Sequence, residues 1–443
     1  MEIGAIIAII TFVTTMVLGL PLGWVFLAST ISGVLILGES MNFMANTFYH
    51  AINNYVLMAV AFFIFAGSLI SATSLADRIV RFSNALVGRV RGGLVLVGII
   101  ATVIMGALTG SSLPTISALI PLLAPRLEKL GYKKAYTTAV LCSSSFMGYL
   151  IPPSVPALIY CMVAQQSVAA LFLATVFPGL LLAFGYAVLN YFICPRYMTV
   201  PVGADMDGKT SASRLKELKS ATWSAIPALG LPTVILVGIY GGIFTPNEAG
   251  AIAVVYCFLI GFLVYRDLNR KSLKKAIYST VLTQGMLGLL LGGGTVFTRF
   301  LIRQGAAQAF AGMMLGMFDS RILVLLSVNI FLLILGMFID GIPILILAVP
   351  MILPLMTELD VNLVHLGAIV IVNVGLGVVT PPFAISIFVG QRLAGVEYGE
   401  LVKPMMLFLF LVGIPVLLLT TYIPALSCWL PTAILGPRFV GPW

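Results

Sequence analysis

The chain has 443 residues, 60% of them hydrophobic and 9% charged, with a mean hydropathy of +1.12; soluble domains carry about 25% charged residues, so a soluble globular fold is excluded. The formal net charge is +9, from 24 Lys and Arg against 15 Asp and Glu. These bases stand in short connectors between apolar runs rather than along one face, which points to membrane topology and away from nucleic acid.

The charge-free runs are 3–38, 40–76, 92–125, 135–195, 220–247, 249–265, 276–298, 322–339 and 404–437. A spanning helix needs about 20 mostly apolar residues, so 3–38 and 135–195 must hold two spans each, and the chain makes about ten to twelve crossings besides two irregular segments. The first run has only Glu2 ahead of it, no basic n-region and no clear small-residue cleavage site, so it reads as two short spans around Pro21 and not as a cleavable signal. Residues 76–91 set Arg78, Arg81, Arg89 and Arg91 against Ile79, Val80, Phe82 and Leu86, an amphipathic pattern. A second basic stretch follows at 126–134, with Arg126, Lys129, Lys133 and Lys134. One simple span between them would put the two on opposite faces, against the positive-inside rule. Either 76–91 lies along the interface, or the segment after it enters and leaves by one face.

That segment, GALTGSSLPTISALIPLLAP at 106–125, is too rich in Gly, Ser, Thr and Pro for one regular spanning helix. Thr109-Gly110-Ser111-Ser112 reads as the turn between two half-length helices. The next segment, 135–160, breaks at Gly148-Tyr149-Leu150-Ile151-Pro152-Pro153. A proline disfavours helix at the residue before it, so Ile151 should be unwound. Connectors 193–222 (Arg196, Lys209, Arg214, Lys216, Lys219) and 266–275 (Arg266, Arg270, Lys271, Lys274, Lys275) should both be cytoplasmic. Two helices between them, near 223–242 and 249–265, give that parity. Residues 203–210, GADMDGKT, match the phosphate-loop pattern, but no room exists for the sheet such a loop needs. Lys209 reads as a topology charge. Further on, GMFIDGIPILILAVPMILP at 336–354 turns at Asp340-Gly341, and 364–390 breaks at Gly377-Val378-Val379-Thr380-Pro381-Pro382, with Thr380 unwound.

These pieces form one pattern written twice. Pro114, Pro121, Pro125, Pro152 and Pro153 recur 229 residues later as Pro343, Pro350, Pro354, Pro381 and Pro382, and Gly148 recurs as Gly377. A duplicated unit is an internal repeat, and duplicated discontinuous segments in a membrane protein mark a transport site. Taken singly, such prolines kink helices for packing; duplication of the whole array favours a site. Irregular backbone at membrane depth must be buried in protein or line a wet cavity. Unwound carbonyls with Ser and Thr hydroxyls suit a small cation, while helix N-termini favour an anion. Asp340, a carboxylate in an otherwise uncharged membrane segment, is functional by default, with interfacial water near a hairpin end as the alternative. Ser111 and Ser112 line the site or cap a helix.

Cys142, Cys161, Cys194, Cys257 and Cys428 have no metal spacing, and most fall inside spans as small packing residues. His50 and His365 form no H-E-x-x-H and no aspartate pair lies within spans, so an intramembrane enzyme is the weaker alternative.

Several blocks, in family order, carry a resemblance: TGSSLPTISAL (109–119), MGYLIPPSVPALIY (147–160), SVAALFLATVFPGLLLA (167–183), GIFTPNEAGAIAVVY (242–256), FIDGIPILILAVPMILP (338–354) and LGVVTPP (376–382). Over nearly its whole length the chain resembles the large membrane subunit of tripartite ATP-independent periplasmic (TRAP) transporters. The resemblance implies an all-α polytopic protein of the bacterial inner membrane with inverted repeats, two re-entrant hairpins and two discontinuous helices. It implies sodium-coupled import of a small organic acid by an elevator mechanism, with sodium ions as the coupling ions and no other cofactor. Implied partners are a small four-span membrane subunit, an extracytoplasmic substrate-binding protein and membrane lipid, with no nucleic acid. A stand-alone ion-coupled organic-anion carrier of the same architecture is the alternative. One sodium would sit at Thr109, Gly110, Ser111, Gly148, Ile151 and Pro152, the other at Gly336, Gly341, Asn373, Gly377, Thr380 and Pro381. Substrate is assigned to Ser111, Ser112, Asp340 and Arg392, with an interfacial anchor as the alternative for Arg392. The expected division is scaffold at 1–75, 166–300 and 393–443, and transport halves at 76–165 and 301–392. The chain departs from the family pattern where Leu113 separates Ser112 from Pro114 and Thr115, and where Gln391-Arg392 replace small residues.

Overall fold

A computed structural model describes residues 3–38, 40–88, 92–198 and 211–443. The phosphate-loop match at 203–210 and connector residues Arg89 and Arg91 lie outside them. Every regular element among the described residues is helical, apart from an isolated bridge between Tyr132 and Met198. Pro21 separates the paired helices Ile3–Val17 and Leu22–Leu37. Asn42–Ile52 and Tyr55–Ser71 meet at a 52° bend.

Leu75–Val87 is an amphipathic arm that buries Leu75, Ile79 and Val80 and exposes Arg81. Hairpin 1 follows, Gly93–Thr109 and Ser112–Lys129, reversed at Gly110 in the left-handed region (φ 61°). Broken helix 1 runs from Lys134–Ser145 through a tight turn at Phe146–Tyr149, opens, and resumes at Val155–Ala164. The second copy has the arm Ala306–Met317, hairpin 2 (Arg321–Phe338 and Gly341–Glu358), and broken helix 2 (Leu363–Gly377 and Ile385–Ala394). Long helices Val168–Ile193, Ser211–Tyr240, Pro246–Leu259 and Arg270–Arg303 stand between the copies, and Tyr398–Tyr422 and Ala425–Leu435 follow them.

The repeats are inverted. Tyr160, near the end of broken helix 1, donates to the Leu363 carbonyl at the start of broken helix 2 (2.7 Å). Cys142, early in the first, packs on Gly390, late in the second. The two broken helices therefore run antiparallel.

Three expectations are corrected. The hairpin arms are 17 or 18 residues long, not half-length. Pro121, Pro125, Pro350 and Pro354 lie inside continuous helices, because neighbouring helices in a membrane protein re-satisfy the carbonyls a proline frees. The second turn falls at Ile339-Asp340, one residue earlier than expected. Seven helices, or eight with the bent pair as one span, have the length and hydropathy of a full span among the described residues. The larger expected number is reached only by counting shorter apolar helices such as Ile3–Val17.

The hairpin geometry also decides between the two topologies. Asn190 donates to the Gly92 carbonyl (3.1 Å) and the Lys133 amide to the Tyr197 carbonyl (2.9 Å). The Ser74 amide reaches Asp267 (2.7 Å), and the Arg78 guanidinium bonds Ser224 and lies 3.9 Å from the Tyr265 ring centroid. The described parts of all four basic connectors thus share one face, and hairpin 1 enters and leaves by it.

Candidate functional site

Glycine brings each hairpin onto its broken helix. A Cβ on Gly106 would lie 2.5 Å from the Gly148 Cα, and one on Gly336 would lie 2.5 Å from the Gly377 Cα. Backbone meets backbone at both crossings, which sets hairpin tips beside opened helices.

At the first tip Thr109 is buried, and its hydroxyl contacts the Ser111 carbonyl (3.1 Å) and the Thr115 hydroxyl (3.0 Å). Thr115 also donates to the Ser111 carbonyl (2.9 Å). The Gly110 carbonyl accepts from the Val155 amide (3.2 Å), docking the tip on the resumed helix. Ser111 occupies the N-cap position without a side-chain capping bond. Ser112 turns instead to Ser145 (2.6 Å) and Ser386 (3.4 Å), all three buried. Across the break, Ser154 caps Val155–Ala164 through the Ala157 amide and donates to the Tyr149 carbonyl (2.6 Å). No backbone or side-chain donor among the described residues reaches the carbonyls of Ile151, Pro152 or Pro153. The Pro152-Pro153 bond is cis, as is Pro381-Pro382.

The second site has the same plan and different chemistry. Gly341 packs against Val374 and lies near Tyr149 of broken helix 1, so hairpin 2 also touches the other repeat. Asp340 is the N-cap residue of Gly341–Glu358, and its carboxylate makes no capping bond. Thr380 donates to the Leu376 carbonyl (2.6 Å). The Pro382 carbonyl accepts from Tyr398, whereas those of Thr380 and Pro381 have no donor among the described residues. Asn373 is buried one turn before Gly377. Where Ser154 seals the first break, the second has Phe383, 55% exposed, and the helix Ile385–Ala394 starts without a side-chain cap. Arg392 stands apart from both tips, exposed in the last turn of that helix.

The chain thus brings Thr109, Gly110, Ser111, Gly148, Ile151 and Pro152 around one break, and Gly336, Gly341, Asp340, Asn373, Gly377, Thr380 and Pro381 around the other. Ser145, Ser386 and Ser154 were missed in the sequence. The uncharged run Ser143-Ser144-Ser145 just ahead of Gly148 was the available signal.

Residues 9–426 match the family model described as tripartite ATP-independent periplasmic transporter, DctM component. The chain is 32% identical over 424 residues to the sialic acid TRAP transporter large permease protein SiaM of Vibrio cholerae, covering 94% of this chain and 96% of that one. It is 31% identical to the C4-dicarboxylate TRAP transporter large permease protein DctM of the same organism, with coverage of 96% and 97%. It is 30% identical to the isethionate TRAP transporter permease protein DctMQ of Oleidesulfovibrio alaskensis, covering 94% of this chain and 64% of that one. Among solved structures, the Alcanivorax borkumensis YdaH transporter shares the fold, with a TM-score of 0.58 at 14% identity over 94% of this chain and 97% of that one. The fold, the full-length family match and the high-coverage relatives agree: the chain belongs to the DctM family and is the large permease subunit of a TRAP transporter, a multi-pass inner-membrane transporter and not an enzyme.

Proposed function

We propose that the protein imports a small organic anion across the bacterial inner membrane, coupled to sodium. The observation that carries this reading is the pair of breaks, each crossed by a hairpin glycine and each presenting backbone carbonyls without donors. Such oxygens, with the Thr109 and Thr380 hydroxyls, are the ligands a small hard cation takes. The relatives' names cite sialic acid, C4-dicarboxylates and isethionate, all anions. The substrate binds between the tips, among Ser111, Ser112 and Asp340, where the uncapped N-terminus of Ile385–Ala394 offers amide donors and a favourable dipole. Arg392, two turns along that helix and exposed at its far end, is an interfacial anchor.

Transport proceeds by an elevator motion of 76–165 and 301–392, with Val168–Ile193 and the C-terminal helices carried along by their buried bonds to the two halves, against the remaining helices. The buried Ser112–Ser145–Ser386 contact supports movement of the two halves together, since separating them would strand hydroxyls in an apolar interior. A small four-span subunit completes the scaffold, and an extracytoplasmic binding protein delivers the substrate.

The test is uptake into vesicles reconstituted with all three components, using the anion that most stabilises the binding protein in a thermal-shift screen of carboxylates and sulfonates. An inward sodium gradient should drive uptake, and Thr380→Ala should reduce it about tenfold or more with membrane insertion intact. Equal uptake with sodium and with choline outside would sink the coupling.

A further inference from the structure

A directed chain of buried hydrogen bonds runs from the C-terminal helices to the second break. Thr421 donates its one hydroxyl proton to the Leu417 carbonyl (2.8 Å), so its oxygen can only accept from Asn329 Nδ2 (2.9 Å). That bond turns Asn329 Oδ1 the other way. Asn373 Nδ2 donates to this Oδ1 (3.0 Å) and to the Asn329 backbone carbonyl (2.9 Å). A carbonyl only accepts, so the Asn373 amide cannot flip without facing oxygen with oxygen. The donors all point one way along the chain, and it ends on an acceptor: Asn373 Oδ1 is buried and has no donor among the described residues.

A buried acceptor without a donor is destabilising unless something else satisfies it. This one lies on the helix that opens one turn later, at the glycine crossed by Gly336. The first repeat has no pair of amides here. The positions 229 residues earlier are Ser144, whose hydroxyl bonds back to Val140 of its own helix (2.8 Å) and reaches Thr102 of hairpin 1 only at 3.4 Å, and the apolar Ile100.

We propose that Asn329 and Thr421 are positioning residues of the second cation site, which hold the Asn373 amide so that its oxygen and not its nitrogen faces the ion. The proposal rests on the sodium reading above and assigns to it two residues outside the hairpin tips. Through Thr421, whose backbone carbonyl also lies 3.2 Å from His365 Nε2, the site is tied to the C-terminal helices.

The experiment uses the transporter with its small subunit in nanodiscs and follows the unfolding temperature as NaCl replaces choline chloride at constant ionic strength. Wild type should show a saturable, sodium-specific rise. Thr421→Val keeps the shape and removes the acceptor for Asn329; it should raise the half-saturating sodium concentration about threefold to tenfold. Thr421→Ser should restore the wild-type value. Should Thr421→Val fail to fold, Asn329→Ser, which removes the second amide, is read the same way. No sodium-specific rise in wild type would sink the ion reading and the relay with it. A normal wild-type rise, with the variant less stable in choline but saturating at the same sodium concentration, overturns the positioning role alone.

Discussion

Glycines at the two crossings do what no other residue can. At Gly106 and Gly336 an added Cβ would meet the backbone of the opposing helix, which has no flexible end to give way. Gly110 is constrained twice, by its positive φ of 61° and by the Pro153 carbonyl 2.7 Å from where its Cβ would stand. Hairpin 2 reverses through Ile339 in an extended conformation instead (φ −124°), and has one residue fewer between its crossing glycine and its N-cap residue. Gly106→Ala and Gly336→Ala should therefore each lower stability by about 1–3 kcal/mol through overpacking. Gly285→Ala, with nothing within 4 Å of the new Cβ, should stay within about 0.5 kcal/mol of wild type. Thermal unfolding of the purified proteins in detergent separates the two classes. Equal transitions for Gly106→Ala and Gly285→Ala would mean that the crossing is looser than described.

Among the elements, the two broken helices differ most in how each break is closed. Ser154 accepts from the Ala157 amide and donates to the Tyr149 carbonyl, so one hydroxyl caps the resumed helix and satisfies the interrupted one. Ser154→Ala should cost about 1–2 kcal/mol, more than an ordinary exposed cap, since the carbonyl it abandons is buried. Ser154→Thr should recover most of that loss. Both are read as shifts in the unfolding transition, and no loss in the alanine variant would remove Ser154 as the closing element. The breaks themselves were legible in the sequence, because proline and glycine act on their own backbone and need no partner to be interpreted. The hydroxyl and amide partners were not legible. Ser112 and Ser386 lie 274 residues apart, and Ser, Thr and Asn within spans follow no period that reveals what they face. Arm length is not legible for a related reason: the penalty for proline in a helix depends on neighbours that only the tertiary structure supplies.

At the scale of the whole molecule, inversion of the repeats and the charge distribution make one argument. Hairpin 1 opens toward the connectors that carry Arg78, Arg126, Lys129 and Arg266, all on one face. Hairpin 2 opens the opposite way, where Asp319, Glu358 and Asp360 outnumber Arg321. The face rich in Lys and Arg belongs to the cytoplasm, so the two hairpin tips approach each other from opposite sides of the membrane. Lys129 and Glu358 are exposed at the open ends of hairpins 1 and 2, respectively, and all five native cysteines are buried, which keeps background labelling low. Lys129→Cys should thus react with a membrane-impermeant maleimide only in inside-out vesicles. Glu358→Cys should react only from the periplasmic side of intact spheroplasts. Had Gly93–Thr109 been a simple span with Ser112–Lys129 continuing beyond it, Lys129→Cys would label from the periplasm. That single result would undo the re-entrant hairpin, the inversion of the repeats and the meeting of the two tips.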